Sequence, residues 1–95
     1  MATTQFCFTT AENGMPAAYN ANAVFEVETP GGVSVATTAA ALAGQNLCRV
    51  ATDTACYVTF AASPTATSAT GFLVLANGVE YFRVNTGDKA AVIAL

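Results

Sequence analysis

Apolar and polar residues alternate with a period of two along most of this chain, the mark of strands that bury one face. In Gln5-Phe6-Cys7-Phe8 the two phenylalanines share a side. In Val24-Phe25-Glu26-Val27-Glu28 the spacing sets Phe25 and Val27 on one side and Glu26 and Glu28 on the other. That predicts a half-buried strand with its acids in solvent. Pro30-Gly31-Gly32 ends it, because proline lacks a donor and glycine tolerates positive φ. Val33-Ser34-Val35 alternates briefly, and residues 36–45, rich in alanine, read as a loop with room for one helical turn.

Leu47 to Thr52 and Ala55 to Phe60 are strand-like, and the short Asp53-Thr54 link between them predicts a hairpin. Cys56, Val58 and Phe60 share one side, Tyr57 and Thr59 the other. Residues 61–70 form a small-residue polar loop. Gly71 to Leu75 is apolar on both sides, which predicts a strand buried on both faces. Asn77-Gly78 is a strong turn signal. Glu80 to Val84 alternates again, with Phe82 and Val84 together, and Thr86-Gly87-Asp88 turns the chain into Lys89 to Ala94.

About eight short strands with regular turn signals predict an all-β fold, a small β-sandwich of jelly-roll-like type, as one domain over residues 1–95. Residues 11–22 show no period, so an irregular N-terminal arm or loop is expected within residues 1–22.

Composition changes the picture in one respect. Hydrophobic residues make up 54% of the 95 residues and charged residues only 9%, against roughly 25% charged in an average domain. So short and so weakly charged a chain is expected to cover its exterior with a partner and to gain stability by oligomerising. The net charge of −3, with three cations and no histidine, argues against a nucleic-acid interface and against docking on anionic membranes. No apolar run approaches the roughly 20 residues of a spanning helix. The first residues carry neither the basic region nor the apolar core of a signal peptide, so secretion by that route is not expected. Cys7, Cys48 and Cys56 form no C-x-x-C pair and are expected to be reduced and packed as small hydrophobes.

Candidate chemistry is sparse. With no histidine, and with Ser34, Ser63 and Ser68 outside any nucleophile-elbow pattern, no nucleophile has an activating base. No catalytic residue, metal ligand or cofactor site is expected, and the chain is read as non-enzymatic. Glu26 and Glu28 could meet a cation, but outward acids are ordinary on half-exposed strands. Asp53 and Asp88 fall in turns, where aspartate bonds the local backbone. Tyr57, Tyr81 and Arg83 oppose the core faces of their strands and are residue types enriched at protein interfaces, which makes them the candidate contact residues.

The second half of the chain resembles small proteins encoded among the virion genes of tailed bacteriophages. The likeness runs through Arg49-Val50, Cys56-Tyr57-Val58-Thr59-Phe60 and Ala62-Ser63-Pro64-Thr65-Ala66-Thr67. It continues through Glu80-Tyr81-Phe82-Arg83-Val84, Gly87 and Lys89 to Val92-Ile93. The resemblance implies a capsid decoration or cement protein on the virion exterior, made in the host cytoplasm. Such a protein would be a homo-oligomer, trimer before dimer, binding the major capsid protein lattice without catalysis. A tail, neck or head-fibre component would share these features. A carbohydrate-binding module is the reading of another class, disfavoured because such sites present an aromatic platform and tryptophan is absent.

Overall fold

A computed structural model describes residues 2–12, 15–17 and 23–95 of the chain. Within them are nine strands and no helix. They are β1 (Thr4–Glu12), β2 (Met15–Ala17), β3 (Val24–Glu28), β4 (Val35–Ala36), β5 (Leu47–Thr52), β6 (Cys56–Ala61), β7 (Phe72–Val74), β8 (Gly78–Arg83) and β9 (Lys89–Ala94).

Two antiparallel sheets form a β-sandwich. The first has the order β3-β1-β5-β8, with β2 paired to the end of β1. The second has the order β4-β9-β6-β7. With β2 set aside, eight strands remain in two sheets of four. Their order is that of a jelly roll, a sandwich of two Greek keys, with its usual last strand moved to the front of the chain. β1 occupies that place, between β3 and β5.

The core lies between the sheets. From the first come Phe6, Phe8, Cys48 and Val50, with Val24 and Phe82 packed at the edges. From the second come Cys56, Val58, Val74, Ala90 and Val92, with Phe60. Phe82 links the layers at one open edge: its ring centroid is 5.2 Å from that of Phe60 and 5.2 Å from that of Phe72, both tilted, a favourable aromatic geometry. One end of the core is polar. There Thr4 and Thr52 share a hydrogen bond of 3.0 Å between hydroxyls, and the Cys56 thiol lies 3.8 Å from the Thr52 oxygen. All three cysteines are free and buried, as expected for reduced thiols packed as small hydrophobes.

Four expectations change. The N-terminal arm does not cover residues 4–12: β1 is a central strand, because Phe6 and Phe8 are fully buried and bring the backbone with them. Residues 13, 14 and 18–22, where the rest of that expectation falls, lie outside the described residues. β5 and β6 are not a hairpin. They belong to different sheets, so that Cys48 and Val50 face Cys56 and Val58 across the core. The link at Thr52–Thr54 is a sheet-to-sheet crossing, tied by the Thr52 hydroxyl donating to the Thr54 carbonyl at 2.7 Å. The 71–75 segment is an edge strand and not a strand buried on both faces; of it only Val74 is fully buried. The turn after it is present, with Asn77 at φ 59° and the Gly78 N–H donating to the Leu75 carbonyl, but it too joins one sheet to the other.

The fourth change bears on function. β3 is turned over relative to its expected orientation. Directly opposed residues on antiparallel strands share a face. Glu26 stands opposite Phe6 and Val24 opposite Phe8, so both point toward the core side, whereas Phe25 stands opposite Cys7 and points outward with Val27.

Candidate interaction surface

The outward face of the first sheet follows from its register. One row across it reads Phe25, Cys7, Arg49, Tyr81; the next reads Val27, Gln5, Ala51, Val79; a third runs Thr9, Leu47, Arg83. Phe25 is 52% exposed, Val27 56%, Val79 43% and Tyr81 48%. Cys7 and Leu47 are buried but belong to no part of the core cluster. The result is an apolar sheet face with two arginines set in it. A shallow depression of about 470 Å³ lies at one end, lined by Gln5, Val27, Ala51, Asn77 and Val79 among others. Asp53 sits at its rim with both oxygens engaged by Thr3: the backbone N–H donates at 2.8 Å and the hydroxyl at 3.1 Å. Those donors hold the Asp53 carboxyl below its usual range.

Of the contact residues singled out by sequence, the structure brings Tyr81 and Arg83 onto this face and leaves Tyr57 elsewhere. Tyr57 lies on the outward face of the second sheet, opposite Ile93 and Leu73. That face is partly covered by the chain itself. Gly71 lies so close that a Cβ there would come within 2.8 Å of Tyr57 Cβ. Pro64 and Ala66 are buried, and the Ala66 N–H donates to the Ser34 hydroxyl at 2.8 Å. Sequence reasoning missed Phe25, Val27, Val79 and Arg49. The signal for the last two was available in the alternation of β5 and β8; the sidedness of β3 was not.

With β3 turned over, its acids do structural work. The Glu26 carboxylate accepts the N–H groups of Thr38 and Ala39 at 2.8 and 2.9 Å, so it fastens the segment after β4 to the edge of the first sheet. Burial alone would raise the Glu26 pKa; the hydrogen bond with Glu28, the two backbone donors and the Lys89 charge together hold it below the usual value. Glu28 takes the opposite course. Burial, then its hydrogen bond with Glu26 and the Glu26 charge, push it up to about 7. Cys7 and Cys48 are poor nucleophiles in this setting. Burial pushes the Cys48 thiol up to about 12 and raises Cys7 as well, against the lowering influence of Arg49.

A second depression, of about 380 Å³, lies between Ala23-Val24 and the turn at residues 42–45. Among the described residues lining the two depressions, Asp53 is the sole acid or base. Among the described residues no cluster of three histidine, cysteine or acidic side chains could hold a metal ion, and no helix is long and apolar enough to cross a membrane. What the arrangement offers chemically is apolar area with arginine and tyrosine, the residue types that anchor protein interfaces. No family model matches the chain, and no curated protein or solved structure matches it.

Proposed function

We propose that this protein is a structural adhesion module, a bacteriophage capsid decoration protein that binds the major capsid protein lattice through the outward face of its first sheet. One observation carries the reading: that face leaves Phe25, Val27, Val79 and Tyr81 about half exposed in a chain with few charges to keep it dispersed. A contiguous apolar patch rimmed by polar groups is the usual mark of a protein interface. The capsid setting comes from the sequence resemblance. A homotrimer suits the role, since several linked contacts raise avidity by about 10²–10⁴ over one. Copies related by a threefold axis meet through unlike surfaces, and Phe72, Leu73 and Leu75 at the β7 edge, all exposed, supply a second apolar surface for contacts between copies.

Quantitative mass spectrometry of purified virions tests the proposal. The expected result is a fixed stoichiometry of this chain to the major capsid protein, lost when Phe25 and Val27 are both changed to serine. Absence from the particle refutes the proposal. A copy number sufficient for one ring only assigns the chain to the neck or tail instead.

A further inference from the structure

We infer that the surface which covers this sheet face is a protein surface bearing carboxylates among apolar side chains, and not a second copy of this chain; the inference rests on the reading of that face as an interface. The chain has three cations, Arg49, Arg83 and Lys89. Two of them stand on this face, Arg49 between Cys7 and Tyr81 and Arg83 opposite Leu47. None of Glu26, Glu28, Asp53, Glu80 and Asp88 stands on this face free to answer them; Asp88 accepts the Asn85 N–H in its own turn. Glu26 and Glu80 stand opposite Phe6 and Val50, on the core-facing side, and Glu28 shares the parity of Glu26. Asp53, at the rim, is engaged by Thr3. Neither guanidinium makes an ion pair among the described residues.

Charge complementarity follows. Arg49 is half-buried in an apolar row, so any surface laid over Phe25 and Tyr81 strips water from its guanidinium. A buried charge left without a partner is strongly destabilising. A carboxylate meets the planar fork of arginine with two parallel charge-assisted hydrogen bonds. A second copy placed face to face would present the same patch, with its own two arginines and with its described carboxylates at the rim or turned to the other side of the sheet. An anionic membrane gains only a weak attraction from each cation near its surface, too little for two arginines to hold it.

The test is panning of a random-peptide display library on the immobilised full chain, with sequencing of the recovered pool. The inference predicts a pool enriched in aspartate and glutamate together with aromatic and aliphatic residues. A synthetic peptide from that pool should lose affinity steeply between low salt and about 0.5 M NaCl, a readout that needs no variant. Changing both arginines, Arg49→Gln with Arg83→Gln, should weaken that peptide by at least about tenfold and remove the acid enrichment from a fresh selection.

A neutral or basic pool whose capture is abolished by Phe25→Ser with Val27→Ser overturns the inference and leaves the interface reading standing. An acidic pool indifferent to both pairs of changes overturns the interface reading and the inference with it. Three further outcomes overturn the inference: no peptide recovered above bare support, capture of phosphatidylglycerol vesicles, and reversible self-association that Val27→Ser abolishes.

Discussion

β1 and β3 are neighbours in one sheet and carry the same alternation of aromatic and polar residues, yet they face opposite ways. Phe6 and Phe8 are fully buried, whereas Phe25 and Val27 are more than half exposed. A period of two says which residues share a side and says nothing about which side is in. The central strand is settled by burial, since two phenylalanines placed outward on β1 would forfeit the core. The edge strand is settled by its acids. Glu26 pointing inward meets the N–H groups of Thr38 and Ala39, which otherwise have no acceptor, and this offsets the exposure of Phe25 and Val27. An edge glutamate employed as a fastener thus leaves an apolar surface outside.

The largest expected effect comes from the aromatics themselves. Phe6→Ala should destabilise the fold by about 3–5 kcal/mol through the cavity it leaves, while Phe25→Ala should stay within about 0.5 kcal/mol. Urea unfolding of both variants measures the contrast, and equal losses would break it.

Next comes the contrast between the two outward faces. Gly71→Ala should cost roughly 1–3 kcal/mol, because its Cβ would stand 2.8 Å from both the Thr67 carbonyl oxygen and Tyr57 Cβ. A neutral Gly71→Ala in the same assay would mean that the second sheet is not covered by its own chain. Glu26→Ala should cost about 1–2 kcal/mol for the two donors left without a partner, with Glu26→Gln costing less because one acceptor oxygen survives. An acid that merely faced solvent would show no loss in either variant.

The smallest effect sharpens the sign of the β3 orientation through pH. The folded value of Glu28, about 7, lies above the free value of 4.5. The folded chain therefore holds the extra proton between those values. The contribution of Glu28 is complete below pH 4.5 and is lost as pH rises toward 7. Glu26 is lowered, so its contribution is present above 4.5 and falls away only at lower pH. Glu28→Gln should then raise Tm by roughly 2–5 °C at pH 8 and leave it unchanged at pH 4. A Tm difference independent of pH would mean that Glu28 stands in water.

The all-β class and most strands were legible in the chain, because alternation and turn residues are local properties: β5, β6, β8 and β9 fall where Val50, Val58, Phe82 and Val92 place them. Sheet membership was not legible. Asp53-Thr54 reads as a hairpin link and Asn77-Gly78 as a turn, but both carry the chain between sheets, and a short turn does not record whether the strands it joins pair. The site was half legible. Tyr81 and Arg83 stood out by opposing Phe82. Tyr57 stood out for the same local reason, yet cover from Gly71, fourteen residues later, is a tertiary fact. Phe25 and Val27 were hidden because their outward position depends on Glu26 reaching residues 38 and 39.

The central claim is that the face bearing Phe25, Val27, Arg49, Val79 and Tyr81 is the one that adheres. A density map of the intact virion tests it most directly. The expected map shows this chain on the capsid exterior with β3, β1, β5 and β8 turned toward the shell and these side chains in contact with it. The same face turned to solvent while the outward side of β6 and β9 meets the shell would contradict it.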